Sequence, residues 1–249
     1  MKKITIILLL VLALMACDAD STQDCLRGSG AAETRDLNIS DLESITIREN
    51  IRLEITYSSE ESLVAEGGKN HLDRLKIIQN GSEYEFKVNG LCTTGFSKAP
   101  IVLKLKNSKL TYVRNSSQFK VLSTNTLEFE KLTLISENFN EPDALNLGDF
   151  NIKVNNRRVN LVGNGISDFE ISGRTQQFYF NTASGSGTVM ARHLEAQEIT
   201  FFHRSFRNAI VNPSQSLKGE IRSTGNLISA KKPPKVEVEE FYTGKLIYE

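Results

Sequence analysis

Apolar and polar residues alternate along much of the chain, with the two-residue period of a half-buried β-strand. The clearest examples are the segments IRLEITY and EYEFKV, whose apolar positions are Ile51, Leu53, Ile55, Tyr57, Tyr84, Phe86 and Val88. Between residues 34 and 249 no long stretch places apolar residues at helical spacing, and the one weak helical segment is KNHLDRL. The pattern therefore predicts an all-β protein.

Two neighbouring predicted strands are separated by Asn80-Gly81, in the segment IIQNGSEYEF. Asn and Gly can adopt the positive φ angles that a type I′ turn requires, and such a turn joins antiparallel strands. We therefore expect an antiparallel hairpin between Ile77 and Phe86. A β-sandwich built from regular hairpins is the alternative architecture for the N-terminal half.

The second half of the chain contains a repeat. The segment STGNLI matches the later segment YTGKLI, which places Gly225 and Gly244 at a spacing of 19 residues. A serine or threonine recurs at the same interval, at Ser167, Ser186, Ser205, Thr224 and Thr243. A looser step of about 20 residues relates the apolar positions Leu161, Phe180, Phe201, Ile221 and Phe241.

A repeat of this length is too short to bury its own apolar face, so each copy must stack on its neighbours. One rung of short strands per repeat, with glycine at corners where a Cβ atom would clash, gives a β-solenoid. The sequence therefore predicts a solenoid with rungs of about 19 to 21 residues. Antiparallel hairpin elements are expected before it, in the N-terminal half.

The N-terminus is typical of an exported protein. Residues 1–16, MKKITIILLLVLALMA, combine two lysines with an apolar run that is shorter than the roughly 20 residues of a membrane-spanning helix. The final LMAC resembles the bacterial lipobox, which predicts a lipid on Cys17 and attachment to the outer membrane through that lipid. An ordinary secretory signal with an incidental cysteine is the alternative.

Residues 17–33 are expected to form a flexible tether, and residues 34–249 to fold as one domain or as the halves 34–106 and 107–249. Once Cys17 carries a lipid, Cys92 is the remaining partner for Cys25. Disulfides persist outside the cytoplasm, so these two residues are expected to pair; two free thiols are the alternative. By the chain-entropy relation, a disulfide that closes so long a loop stabilises the folded protein by roughly 4 kcal/mol.

Composition and charge exclude several classes of function. The chain has 30 basic and 30 acidic residues, whereas a nucleic-acid-binding surface needs many unbalanced cations. The three histidines, His71, His193 and His203, have no spacing typical of a zinc site, and no GxSxG motif of a serine hydrolase occurs. We therefore expect no metal, no cofactor and no nucleic-acid partner.

Several segments, in their order along the chain, resemble the putative auto-transporter adhesin, head GIN domain family. They are CLRGSG, DLNISDLESITIRENIRLEIT, NHLDRLKIIQNGSEYEFKV, SGSGTVMARHLEAQEITF and SLKGEIRSTGNLISAKKPPKVEVEEFYTGKLI. The resemblance implies a right-handed β-helix-like domain in an exported bacterial protein that is often lipid-anchored and has no established enzymatic activity. This chain departs from it in FFHRSFRN, where Phe206 takes the place of a turn glycine.

The segment FFHRSFRN is also the candidate ligand site. Its aromatic and arginine side chains could bind a sugar or an anionic polymer by stacking and by paired hydrogen bonds. The candidate residues are Phe202, His203, Arg204, Phe206 and Arg207. The simpler interpretation places Phe201 in the core and the other residues on a solvated face.

A polysaccharide lyase or hydrolase is the alternative function, because such enzymes need carboxylates clustered on one face. The segment ENFNEPDALNLGDF supplies four acids, at Glu137, Glu141, Asp143 and Asp149. Pro142 and its polar neighbours indicate an exposed loop, so we expect these acids to be solvated. The favoured hypothesis is a lipid-anchored, non-catalytic cell-envelope protein that binds an extracellular glycan or protein. A structural spacer without any ligand is a further alternative.

Overall fold

The structure is a computed structural model that describes residues 28–89, 99–139 and 141–249. Strands make up 57% of it and helix 2%, so the protein is all-β, as predicted. The first nine strands are β1 Ala32–Leu37, β2 Ser44–Ile47, β3 Ile51–Tyr57, β4 Ser62–Gly68, β5 Leu75–Asn80, β6 Glu83–Val88, β7 Ile101–Asn107, β8 Tyr112–Asn115 and β9 Val121–Ser123. The weak helical segment forms one short helix, α1, Lys69–Leu72.

The remaining strands belong mostly to the repeat region. They are β10 Lys131–Ser136, β11 Phe150–Gly163, β12 Phe169–Thr182, β13 Val189–Met190, β14 Leu194–His203, β15 Ala209–Val211, β16 Pro213–Ile221, β17 Leu227–Ser229, β18 Lys235–Glu240 and β19 Leu246–Tyr248. All nineteen strands of the described residues are linked into one curled sheet. The long strands β11 and β12 connect its two parts.

Each part of the sheet is a ladder of strands, and we call the two parts ladder A and ladder B. Ladder A runs β1, β4, β7, β3, β9, the start of β11, the start of β12, β13, β15, β17 and β19. Ladder B runs β5, β6, β2, β8, β10, the end of β11, the end of β12, β14, β16 and β18.

Both ladders begin with antiparallel pairs and continue with parallel pairs. The antiparallel pairs are β1 with β4, β4 with β7, and β5 with β6, which confirms the antiparallel elements expected in the N-terminal half. From β11 onward, each strand pairs in parallel with the strand one sequence repeat later. Parallel neighbours need a long connection, here the rest of one repeat, because a tight turn would reverse the direction of the chain.

The predicted hairpin is present, but its turn is shifted by one residue. Asn80 is the last residue of β5 and pairs with Glu83, so Gly81 and Ser82 form the two-residue loop. Of these two, only Gly81 has a positive φ, of 60°. A type I′ turn requires positive φ at both central residues, whereas type II′ requires it at the first alone. The observed φ angles therefore match type II′.

The core consists of apolar side chains stacked along the repeat. Leu161 pairs with Phe180, and Phe180 pairs with Phe201, as the apolar step predicted. The step fails at the next strand, where Gly219 pairs with Phe201. A Cβ atom on Gly219 would lie 2.1 Å from the Phe201 carbonyl oxygen and 2.7 Å from its ring, so glycine leaves room for Phe201.

The last two members of the predicted apolar series therefore lie elsewhere. Ile221 pairs with His203 and is buried, and Phe241 is half exposed. The 19-residue serine and threonine series is also not kept throughout, because Phe169 pairs with Val189 and His203 pairs with Ile221, at spacings of 20 and 18 residues. The matching segments around Gly225 and Gly244 do pair in register, as β17 and β19.

Candidate functional site

The candidate ligand residues lie at the end of β14 and on the corner that follows it. Side chains alternate there between core and solvent, as in any strand. Phe201, His203 and Ser205 are buried, whereas Arg204 and Phe206 are exposed. Phe206 is 62% exposed, which is unusual for so large an apolar side chain.

His203 is separated from the other candidates because its ring points into the core. Its Nδ1 atom lies 2.9 Å from the Thr182 hydroxyl, on the neighbouring strand β12. Burial lowers the pKa of His203 to about 4, and the backbone of Arg207 offsets this only in part. His203 is therefore neutral at physiological pH and supports the corner from inside.

Arg207 is exposed but held to the two preceding rungs. Its guanidinium donates a hydrogen bond of 2.7 Å to the Asp168 carboxylate and one of 3.2 Å to the Ser186 carbonyl. The Ser205 hydroxyl accepts a hydrogen bond from the Arg207 backbone N–H. Arg207 therefore has a fixed orientation, whereas the Arg204 guanidinium has no such partner within the part of the chain that the structure describes.

The expectation that Phe206 takes a glycine position is wrong by one residue. The register of β15, β17 and β19 aligns Arg207 with Gly225 and Gly244. A Cβ atom on Gly225 would lie 2.2 Å from the Arg207 carbonyl oxygen, and one on Gly244 would lie 2.3 Å from the Gly225 carbonyl oxygen. Arg207 therefore occupies the glycine position, and Phe206 projects outward beside it.

Two further residues join the group from later strands. The Arg222 guanidinium lies over the ring of Phe241, 3.8 Å from its centroid, and 5.9 Å from the centroid of Phe202. A cation over an aromatic face is attracted by the ring electrons. Sequence reasoning missed Arg222 and Phe241, because only the strand register brings them beside Phe202. We give the name corner surface to half-buried Phe202 and the exposed residues Arg204, Phe206, Arg207, Arg222 and Phe241.

The acidic segment after β10 differs from its prediction. Glu137 is buried, and its carboxylate accepts a hydrogen bond of 2.7 Å from the guanidinium of Arg114, which is buried as well. The Glu137 backbone carbonyl accepts a second hydrogen bond from Arg114. The expectation that Glu137 is solvated was therefore wrong. Asp149 is half-buried at the start of β11, and Asp143 is exposed.

Glu141 is part of the same charged network. Its carboxylate lies 2.5 Å from the guanidinium of Arg48 and 3.6 Å from that of Arg114. Glu85 lies 3.1 Å from Arg48 on the other side. Burial alone would lower the pKa values of Arg48 and Arg114. Hydrogen bonds to carboxylates, those of Glu85 and Glu141 for Arg48 and that of Glu137 for Arg114, raise these pKa values instead, so both arginines stay charged.

A groove of about 470 Å³ lies on the outer face of ladder B next to this network. The side chains that bear on its chemistry are Ile78, Glu85, Tyr112, Arg114 and Glu141. Three of them belong to the network, and four carboxylates line the groove in all, those of Glu43, Glu83, Glu85 and Glu141. Sequence reasoning had named Glu141 but not its partners.

Three of the predicted site residues, Cys17, Cys25 and Cys92, lie outside the described residues, so their lipid and disulfide bond stay predictions. Within 28–89, 99–139 and 141–249, no group of three or more His, Cys, Asp or Glu side chains could hold a metal ion. In the same ranges no helix has the length and apolar character needed to cross a membrane.

The fold and this site define an all-β protein with a repeat-built sheet and an exposed corner of aromatic and arginine side chains. Residues 41–233 match the family described as putative auto-transporter adhesin, head GIN domain. The chain belongs to that family, as the sequence resemblance predicted. No curated protein matches it.

Solved structures share the fold at low sequence identity. A putative adhesin from Bacteroides fragilis NCTC 9343 has a TM-score of 0.77 at 15% identity, over 88% of this chain and 97% of that chain. A putative lipid binding protein from Parabacteroides distasonis ATCC 8503 has a TM-score of 0.63 at 15% identity, over 89% and 98%. A putative adhesin from Parabacteroides merdae ATCC 43184 has a TM-score of 0.60 at 16% identity, over 89% and 98%.

Proposed function

We propose that this protein is a lipid-anchored, non-catalytic binding module of the bacterial cell envelope, which holds an extracellular glycan or protein at the corner surface. The observation that carries the proposal is the exposure of Phe206 two residues after Arg204, just beyond a strand whose paired neighbour leads into Arg222, which lies against Phe241. Aromatic rings bind apolar faces of a partner, and arginines bind carboxylates and other anions. Family membership supports the same role.

The non-catalytic part of the proposal is supported by the ion pairs of the acidic network. Glu137 and Glu141 each lie against an arginine, and Glu85 lies against Arg48. Carboxylates that are already held by arginines in this way are less available to act on a substrate as a general acid or base.

We also propose that a lipid on Cys17 attaches the protein to the outer membrane. A disulfide between Cys25 and Cys92 would fix the tether to the domain. Mass spectrometry of the native protein tests both, since the lipid adds mass to the N-terminal peptide and the disulfide links two peptides until reduction. We also propose that ladders A and B are faces of a right-handed solenoid. The parallel pairing at repeat spacing supports this, and a crystal structure would test the handedness.

An array of glycans, matrix proteins and lipid vesicles tests the binding function. The probe is the soluble chain that begins at Asp18, with an Arg204→Ala, Arg222→Ala double variant beside it. Vesicles are included because one structural relative is named as a lipid binding protein. Reproducible binding that the double variant loses supports the proposal. Silence on every array leaves the spacer hypothesis.

The groove supports a second candidate, a polysaccharide-active enzyme. Glu85 and Glu141 line the groove, and Arg48 and Arg114 lie nearby. Two acids beside an arginine are the arrangement that such an enzyme would need. Incubation with polysaccharides, followed by assay of released sugar, tests this candidate. Product that disappears in Glu85→Gln and Glu141→Gln variants would favour the enzyme over the binding module.

A further inference from the structure

Strand β5 forms the outer edge of ladder B. Among the described strands it pairs only with β6. Its residues are exposed on both faces, with Ile77 40% exposed on one and Ile78 46% exposed on the other. An edge strand that exposes apolar side chains is a template for pairing with another strand.

The backbone groups on the free side of β5 follow from the hairpin register. In a two-residue hairpin the pair that closes the loop, here Asn80 with Glu83, exchanges hydrogen bonds, and every second pair does the same. The Asn89 N–H donates to the Arg74 carbonyl, as this alternation requires. The backbone groups of Leu75, Ile77 and Gln79 therefore point away from β6.

The edge lacks most devices that protect natural sheets. β5 is six residues long, contains no proline and pairs with β6 without a bulge. Its one charged residue is Lys76. Edges are normally blunted by short strands, prolines, bulges or several charges. β5 is therefore suited to accept a partner strand.

We propose that β5 pairs antiparallel with β5 of a second copy of this chain, with Ile77 of one copy opposite Ile77 of the other. This register matches the outward backbone groups of Leu75, Ile77 and Gln79 with those of Gln79, Ile77 and Leu75. The two Ile77 side chains then contact each other, which buries the apolar surface that each exposes alone.

Charge also favours a second copy in this register. Lys76 of one copy lies beside Ile78 of the other, and Glu85 of that other copy pairs with Ile78 on its far side. Lys76 faces Lys87 within its own hairpin. A lysine side chain is long enough to reach the Glu85 carboxylate one strand further on, which Arg48 also contacts at 3.1 Å. No two like charges of β5 face each other directly, so the strand is complementary to itself.

The contact is small, because one six-residue edge buries less than the roughly 1,200 to 2,000 Å² of a standard interface. We therefore expect a weak dimer that forms at high protein concentration. If the anchoring on Cys17 proposed above is correct, two copies on one membrane would reach a high effective concentration. The dimer itself does not depend on that anchor.

Sedimentation equilibrium of the soluble chain from Asp18, over a range of concentrations, tests the proposal. Gln79→Pro removes an N–H that points away from β6, so the hairpin survives while the intermolecular ladder loses a hydrogen bond. Gln79→Ala is the matched control, because both changes remove the side chain that donates to the Gly81 carbonyl. We expect the proline variant to weaken the dimer at least about tenfold and the alanine variant to leave it unchanged.

A second variant and a second measurement guard against misfolding. Ile77→Lys puts two like charges opposite each other and should also abolish the dimer, with an unchanged circular dichroism spectrum. Hydrogen exchange at Ile77 should slow as the concentration rises. A chain that stays monomeric at every concentration, a dimer that survives both variants, or an Ile77 amide protected in the monomer by another segment would each overturn the proposal.

Discussion

Phe150 and Phe169 pair in register on neighbouring parallel strands, and their rings stack with centroids 5.0 Å apart. Both side chains are almost completely buried. Val121 precedes them in the same column of the core, and Val189 follows. Each repeat of the sequence therefore adds one apolar side chain to a column, and the contact between successive repeats holds the ladder together.

Removal of one ring from this column should cost much of the stability. Phe169→Ala is expected to lower the free energy of unfolding by about 3 to 5 kcal/mol, because the cavity it leaves cannot be refilled. Phe206→Ala, which removes the same side chain from the surface, should change it by less than about 0.5 kcal/mol. Urea unfolding measures both. Similar costs for the two variants would contradict the assignment of core and surface.

The sequence predicted the strands and the hairpin because both follow from local rules. The two-residue period places Ile51, Leu53 and Ile55 in the core, where they are found. The apolar step failed at Phe201, since the strand beside it carries Gly219 there. The size of a neighbouring side chain on another strand is not visible in a regular spacing, so the irregular rungs could not be predicted.

The candidate site also combines features that follow from local alternation with features that depend on strand register. The alternation that buries Phe201 also buries His203 and exposes Arg204, so period two alone could have removed His203 from the ligand group. Arg222 could not be added in this way, because its contact with Phe241 depends on the register of two strands. Long-range register is the part of the site that sequence spacing does not give.

Glu137 was predicted to be solvated because its neighbours are typical of a loop. Its partner Arg114 lies on β8, which pairs with β10 in the ladder just before Glu137. The ladder brings the two charges together, and burial makes it costly to leave either charge without its partner. Local composition could not show this partner.

Arg114 is therefore expected to be sensitive to substitution. Arg114→Met leaves Glu137 as a buried charge without its arginine, and should lower the free energy of unfolding by about 3 to 5 kcal/mol. Lys106→Met removes an exposed ion pair with Glu60 and should cost less than about 1 kcal/mol. Urea unfolding at neutral pH compares them. Equal costs would show that the Arg114 pair is solvated after all.

His203 should make stability depend on pH. Its pKa is about 4 in the folded protein and 6.5 in its ordinary state, so the unfolded chain binds more protons between these values. Stability contributed by the neutral ring is complete above pH 6.5 and falls as the pH drops toward 4. The total loss is about 3 kcal/mol.

Unfolding of the wild type and of His203→Phe across this pH range measures the effect. The free energy of unfolding of the wild type, relative to that of the variant, should be constant above neutral pH. It should fall by about 3 kcal/mol as the pH drops toward 4. The carboxylates titrate in both proteins and cancel in the difference. A difference that stays constant down to pH 4 would mean that His203 is not buried as the structure places it.

The most direct test of the account is the affinity of the strongest array ligand for Phe206→Ala. Tyr248→Ala is the matched control, since it removes an exposed aromatic ring from ladder A, away from the corner surface. We predict that Phe206→Ala weakens binding at least about tenfold, while Tyr248→Ala leaves it unchanged. Unchanged affinity in Phe206→Ala, or equal losses in both variants, would contradict the corner surface as the ligand site.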